Sequence, residues 1–232
     1  MNKSALSVLA VTKLNLISIT VPNVSTTTPL FTFIGMYIGT NIIIFIMKLS
    51  GTENTGYVSI GTWLFMFVVL SAISLAGNDF YRVINLGGKR KTFFAGCMIT
   101  YIIISFAVSV LNTVVFYTLD VFMKTSSGNF FKTFNWVSHG AVVGSIMQFA
   151  FLLFLSALVH TVFSIRLKWS TLVIFVIILF TVILVKPLLN ALAQFLKMIF
   201  YHSGALVQII SCLVLAAVIY AVSLPVINRK NI

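Results

Sequence analysis

The chain has 232 residues, of which 60% are hydrophobic and only 8% are charged, and its formal net charge is +12. Soluble domains carry about 25% charged residues, so this composition excludes an ordinary soluble protein and indicates a lipid bilayer. The basic residues lie in small groups beside hydrophobic runs, which is how membrane proteins set their orientation. Nucleic-acid binding needs instead a contiguous basic face on a folded domain, so no nucleic-acid partner is expected.

Residues 1–28 combine the apolar run ALSVLAV with Lys3 and Lys13. A secretory signal also has a basic start and a short apolar core, but Lys13 interrupts this run and no convincing small-residue cleavage site follows. We therefore predict an amphipathic helix that lies in the cytoplasmic interface, followed by a polar connector.

Six hydrophobic segments follow, and each predicts a transmembrane helix, because a span needs about 20 apolar residues. The predicted spans are 29–49, 58–77, 93–119, 139–164, 171–185 and 205–227. Segment 188–203 is less hydrophobic, and we predict short re-entrant helices there, before the last span. The predicted fold is an all-α integral membrane protein whose single transmembrane domain covers residues 1–232.

The cations indicate the orientation, because cytoplasmic loops carry an excess of Lys and Arg. With the amino terminus inside, the inner face holds Lys3, Lys13, Arg82, Lys89, Arg90, Lys91, Arg166, Lys168, Arg229 and Lys230, and the outer side holds Lys48, Lys124, Lys132, Lys186 and Lys197. The bias predicts a multi-pass plasma-membrane protein with both termini and loop 78–92 in the cytoplasm.

Polar groups inside or beside the spans point to packing rather than to catalysis. Carboxylates occur only at Glu53, Asp79 and Asp120, which fall in predicted loops or at span ends, so no carboxylate site for ion coupling is expected at the bilayer midplane. Asn112 and Gln148 lie inside predicted spans, where we expect them to hydrogen-bond neighbouring helices.

The remaining reactive residues also lack partners for chemistry. His139 and His160 are 21 residues apart on one predicted span, about 30 Å along a helix, so they cannot share a metal, and we interpret each histidine as a satisfied interfacial residue. Cys97 and Cys212 have no CxxC spacing and are predicted core residues. The sequence GSIM around Ser145 is a poor match to a serine protease site. No phosphate-binding loop occurs, so we expect no enzyme activity and no cofactor in this chain.

Two short stretches outside the spans carry distinctive patterns. The outer loop 120–137 contains four aromatic residues, which we interpret as an interfacial belt, with an exit gate or a dimer brace as alternatives; they are Phe130, Phe131, Phe134 and Trp136. The inner stretch NDFYRVINLGGKRKTFF, residues 78–94, holds the densest cluster of charge. Its first half predicts a short helix capped by Asn78 or Asp79 and stopped by Gly87 and Gly88. Its apolar face would comprise Phe80, Val83, Ile84 and Leu86. Such a helix with a cationic tail indicates docking onto a cytoplasmic partner, and an anchor for anionic headgroups is the alternative.

Residues 86–94, LGGKRKTFF, resemble the stretch "leucine-glycine, two variable, arginine-lysine, variable, phenylalanine-phenylalanine" of permease subunits of type-two ABC exporters. Gly88 and Lys89 stand where that family more often has small β-branched residues. In the family this stretch lies between the second and third of six spans, on the cytoplasmic side. An interfacial helix precedes the first span, and short re-entrant helices often precede the sixth.

The resemblance implies that segment 79–86 is a coupling helix seated in a groove of a separate ATP-binding cassette subunit, which would hold ATP and magnesium. Phe80, Tyr81 and Ile84 would be its apolar anchors, and its basic residues would pair with carboxylates or lipid phosphate. The implied docking residues are Asp79, Phe80, Tyr81, Arg82, Val83, Ile84, Leu86, Gly87, Lys89, Arg90 and Lys91.

The function implied by the resemblance is ATP-driven export of an amphipathic substrate, a peptide or a lipid-like molecule. A second copy or a sister permease would complete the path, since six spans are half of such a pore. The small size and the lack of an extracellular domain resemble permeases that export amphipathic or antimicrobial peptides, or protect against them. A non-transporting scaffold or sensor partner is the alternative function.

Overall fold

The computed structural model describes residues 7–20, 29–49, 59–122, 129–164, 194 and 204–229. Within those ranges the chain is helical apart from short turns, and no strand occurs, which confirms the all-α prediction. The helices are α1 (Val8–Thr20), α2 (Pro29–Leu49), α3 (Ile60–Ser74), α4 (Phe80–Asn85), α5 (Arg90–Val115), α6 (Phe130–Thr133), α7 (Gly140–Ser164) and α8 (Ala205–Arg229).

Four of the described helical segments are long and apolar enough to cross a membrane, which supports a membrane-embedded protein. They are Ile60–Gly77, Arg90–Asp120, Trp136–Ser164 and Ala205–Pro225. They correspond to the second, third, fourth and sixth predicted spans. Helix α2 has 21 residues and coincides with the first predicted span. The predicted fifth span and nearly all of segment 188–203 lie outside the described residues, so the count of six spans stays a prediction.

Helix α7 lies at the centre of the described bundle and packs against α3, α5 and α8. Both α3 and α5 end in a π-helical turn, Leu75–Asp79 and Phe116–Asp120. Such turns are rare and occur mostly as single-turn bulges inside α-helices. Here each turn ends on a buried aspartate, and each aspartate accepts a hydrogen bond from a serine of a distant segment.

Helix α1 confirms the predicted helix, but its orientation differs from that of an interfacial helix with its polar face in water. Three of its polar residues, Thr12, Asn15 and Ser18, are buried against the bundle. The Thr12 hydroxyl lies 3.5 Å from the Gly96 carbonyl and the Asn15 amide 3.5 Å from the Thr100 hydroxyl. Leu9, by contrast, is 81% exposed. Val11 and Ile19 are buried beside these polar residues, whereas Lys13 and Thr20 are exposed like Leu9. Both faces of α1 therefore carry polar and apolar side chains.

The predicted aromatic belt is wrong for two of its four members. Phe131 and Trp136 are fully buried, and Phe130 and Phe134 are half-buried. The segment folds into α6 and the 3₁₀ helix Trp136–His139, and its rings contact Phe151 of α7. The aromatic residues therefore close one end of the helix bundle instead of lining the bilayer surface.

Candidate functional site

The loop between α3 and α5 begins without a separate helix cap. Helix α3 runs through the π-helical turn directly into α4, and Asp79 has a right-handed helical backbone with no capping hydrogen bond from its side chain. The prediction that Asn78 or Asp79 caps a new helix is therefore wrong. Because the helix is continuous, the amide groups at the start of α4 already lie within a helical ladder and need no side-chain acceptor.

The glycine stop is confirmed. Gly87 has a φ of 90°, and its amide donates to the Ile84 carbonyl at 2.9 Å. The Gly88 amide donates to the Val83 carbonyl at 2.9 Å, which completes a Schellman motif at the end of α4. A Cβ on Gly88 would lie 2.8 Å from the Val83 carbonyl oxygen, so a larger residue there would force the backbone of the motif to shift. The chain then enters α5 at Arg90.

Asp79 joins this loop to two other helices. Its carboxylate is 4% exposed and accepts hydrogen bonds from the Ser18 hydroxyl of α1 at 2.6 Å and from the Ser74 hydroxyl of α3 at 3.2 Å. Burial raises the pKa of Asp79 above its ordinary value, against the opposing effects of the two serine hydrogen bonds and the Arg82 charge. The carboxylate thus connects the amino-terminal helix to the start of the loop.

The structure divides the eleven implied docking residues into an inner and an outer group. Asp79, Phe80 and Val83 are buried, and the Phe80 ring packs edge-on against Phe93 with centroids 5.4 Å apart. Exposure increases toward the tip of the loop. Tyr81, Arg82, Ile84, Gly87 and Arg90 are half-buried, whereas Leu86, Lys89 and Lys91 are exposed. Phe80 therefore belongs to the core of this chain and is not an anchor on the loop surface.

We expect Gly87→Ala to destabilise the loop, because an alanine at a positive φ costs about 1–2 kcal/mol. The matched control is Gly77→Ala, since a Cβ on Gly77 meets no atom within 4 Å. Thermal unfolding of the detergent-solubilised protein measures both variants. Equal melting temperatures for the two variants would contradict the strained turn at Gly87.

A second polar cluster lies at the opposite end of α3 and α5. Asp120 accepts hydrogen bonds from the Ser59 hydroxyl and the Asn129 amide, each at 2.6 Å. The Asn129 amide also donates to the Asn112 side-chain oxygen at 2.9 Å, which confirms that Asn112 bonds a neighbouring segment. Gly61 packs directly against both asparagine side chains, so a Cβ there would collide with them. The sequence pattern did not predict this cluster, because its members are far apart along the chain.

Four other residues singled out from the sequence are buried in the helix bundle. Gln148 is fully buried, and among the described residues neither of its side-chain polar atoms has a hydrogen-bond partner, so the predicted interhelical bond does not form within this part of the chain. His160 lies inside the core and not at an interface, and its Nδ1 lies 2.7 Å from the Tyr101 hydroxyl. Cys97 and Cys212 are buried free thiols, as predicted. No cluster of metal-ligating residues occurs in the part of the chain that the structure describes.

No known protein family, no curated protein and no solved structure matches this chain. The family resemblance therefore depends on residues 86–94 and on the order of the hydrophobic segments. The membrane location depends on independent observations, namely the composition and the four long apolar helices.

Proposed function

We propose that this chain is the membrane-spanning subunit of an ATP-driven exporter. A separate ATP-binding subunit would dock on loop 78–92, and a second copy or a sister permease would complete the path of an amphipathic substrate. One observation carries the proposal: the loop is a helical hairpin that continues out of one span and into the next, with an apolar and basic tip. The local resemblance of residues 86–94 supplies the class of partner.

The geometry of the hairpin suits a part that transmits force. Helix α3 reaches α4 without a break, and only residues 86–89 separate α4 from α5. A displacement of the tip would therefore act on two spans at once. Because Asp79 bonds Ser18, the same displacement would also pull on α1. Closure of two ATP-binding subunits is the proposed source of that displacement.

The surface of the tip suits a protein groove that combines an apolar pocket with carboxylates. Leu86 is 55% exposed, and the exposed lysines Lys89 and Lys91 follow it in the sequence. Exposed apolar and cationic groups together give a docking surface both contact area and charge complementarity. Arg82 and Arg90, which are half-buried, would contribute at the margin.

The test is co-purification of the tagged chain from its native membrane in a mild detergent. We expect a stoichiometric P-loop ATPase with the unmodified chain and loss of that ATPase with Leu86→Asp. Val121→Asp is the matched control, because Val121 is 53% exposed, close to the value for Leu86, and follows the Asp120 end of α5. Both variants must reach the membrane in equal amounts.

Two outcomes would refute parts of this proposal. If the ATPase stays bound to the Leu86→Asp variant, the docking surface is not the tip of the loop. If the unmodified chain brings down no ATPase, the exporter proposal fails and a scaffold or sensor partner becomes the better interpretation.

A further inference from the structure

A cavity of about 240 Å³ lies between α5, α7 and α8. Small side chains create it where α7 and α8 face each other, at Ser156, Ala157, Ala216 and Ala217. It is separate from the docking loop, and neither the family resemblance nor the proposed function assigns it a role.

The cavity lies at mid-depth in the membrane. Tyr101, one of its lining residues, follows the start of α5 at Arg90 by 11 residues, about 17 Å at 1.5 Å per residue. The hydrocarbon core of a bilayer is about 30 Å thick. If Arg90 lies at one edge of that core, the cavity faces the middle of the acyl chains.

The polar side chains of the lining are already occupied. The Tyr101 hydroxyl bonds His160, the Tyr220 hydroxyl donates to the Phe94 carbonyl at 3.0 Å, and the Ser156 hydroxyl donates to the Leu153 carbonyl at 2.9 Å. None of the three needs a bond from an occupant. The chemistry of the walls therefore fits hydrocarbon and disfavours a polar ligand, as in other apolar cavities of similar size.

The cavity also has a side entrance. Its lining includes Met98, Ile102 and Leu213, which are 47%, 41% and 39% exposed on the outer surface of the bundle. These residues lie on the flanks of transmembrane helices, so the opening faces lipid tails. An acyl chain can enter sideways while its headgroup stays at the bilayer surface.

We propose that this cavity is a binding site for one acyl chain of a membrane phospholipid. The chain would lie against the rings of Tyr101 and Tyr220, whose centroids are 6.1 Å apart, and between the small residues of α7 and α8. This site does not depend on the exporter proposal, because its lining, depth and entrance are independent of any partner at the loop.

The test uses the full chain in nanodiscs that contain a phosphatidylcholine with a diazirine near the middle of one acyl chain. After illumination, mass spectrometry locates the labelled residues. Tyr101 and Tyr220 are only 3% and 6% exposed, whereas Phe106 on α5 is 61% exposed. Surface lipid alone would label Phe106 far more than the tyrosines. We expect the two tyrosines to be labelled at least as strongly as Phe106.

Ala157→Phe fills the cavity from α7 and should abolish the tyrosine labelling while Phe106 labelling persists. Ala107→Phe is the control, because Ala107 is exposed on α5 and does not line the cavity. If Ala157→Phe fails to fold, Ala216→Leu fills the cavity from α8. The proposal is overturned if Tyr101 and Tyr220 are not labelled in the unmodified chain. It is also overturned if their labelling is the same in the variants whose cavity is filled. A second measurement places a photoactivatable residue at Met98. Capture of this chain itself or of a second copy, without any lipid, would also overturn the proposal.

Discussion

Asp120→Ala should destabilise the folded protein by about 3 kcal/mol, because it leaves two buried donors without their acceptor. The donors are the Ser59 hydroxyl and the Asn129 amide, each 2.6 Å from one carboxylate oxygen. Asn129 is fully buried and also caps the start of α6, where its side-chain oxygen accepts from the Phe131 amide at 2.8 Å. Loss of Asp120 should therefore loosen α6 and the buried aromatic cluster, and denaturant unfolding in detergent measures the effect.

The control for this prediction is Thr118→Ala, two residues earlier on the same helix end. Thr118 is exposed, and its hydroxyl donates only to the Val114 carbonyl of its own helix, so its loss should change stability by less than about 0.5 kcal/mol. Ser59→Ala combined with Asp120→Ala should cost less than the sum of the single changes, because the two residues share one bond. Additive losses would show that the Ser59–Asp120 bond contributes nothing.

Hydropathy predicted the membrane helices well where the apolar signal is local and long. The predicted spans 58–77, 93–119, 139–164 and 205–227 differ by only a few residues from the described long apolar segments. The glycine stop was also predictable, because Gly87 and Gly88 encode a helix end through backbone conformation alone. Both signals depend on near neighbours in the sequence.

The sequence did not reveal whether the apolar or polar face of a helix contacts another part of this chain, a partner or the membrane. Phe80 belongs to the apolar face of a short helix, and that pattern is the same whether the face contacts a partner or the chain's own Phe93. The polar residues of α1 likewise predict an amphipathic helix without saying that they meet Gly96, Thr100 and Asp79. Such contacts between distant segments decide orientation, and no local pattern encodes them.

The Asp79 prediction failed for a related reason. An Asn-Asp pair before an apolar helix is a common capping signal, but capping needs a break in the helix, and the π-helical turn Leu75–Asp79 removes that break. The carboxylate is then directed into the bundle, where Ser18 and Ser74 bind it. A residue predicted to begin a helix therefore holds three helical segments together.

Asp79→Ala should detach α1 from the loop, whereas Asp79→Asn should keep it attached. Alanine leaves the Ser18 hydroxyl without its acceptor, at a cost of about 1–3 kcal/mol for a buried group. Asparagine retains an oxygen where the Ser18 hydroxyl donates at 2.6 Å and removes the buried charge. Amide hydrogen exchange measures the difference: exchange across α1 should accelerate in the alanine variant and stay slow in the asparagine variant.

Stability should also depend on pH through Asp79, with a definite sign. Burial raises the pKa of this carboxyl in the folded protein above the value of about 3.9 in an unfolded chain, so the folded state binds the proton more tightly. The contribution of Asp79 protonation to the free energy of unfolding is then complete below the pKa of this carboxyl in the unfolded chain. It is lost as the pH rises through the pKa of the same carboxyl in the folded protein. The groups facing Asp79 are Ser18, Ser74, Arg82 and the Cys97 thiol.

Unfolding should therefore be measured from below the pKa of Asp79 in the unfolded chain to above its pKa in the folded protein. As the pH increases, the unmodified chain should lose stability relative to Asp79→Asn, because the variant has no proton to lose at this position. A difference between the two proteins that stays constant with pH would mean that Asp79 has no raised pKa. A difference that changes in the opposite direction would mean that the serine bonds and Arg82 outweigh burial. In either case the alanine variant still reports whether Asp79 holds α1, because hydrogen exchange does not depend on the sign of the pKa shift.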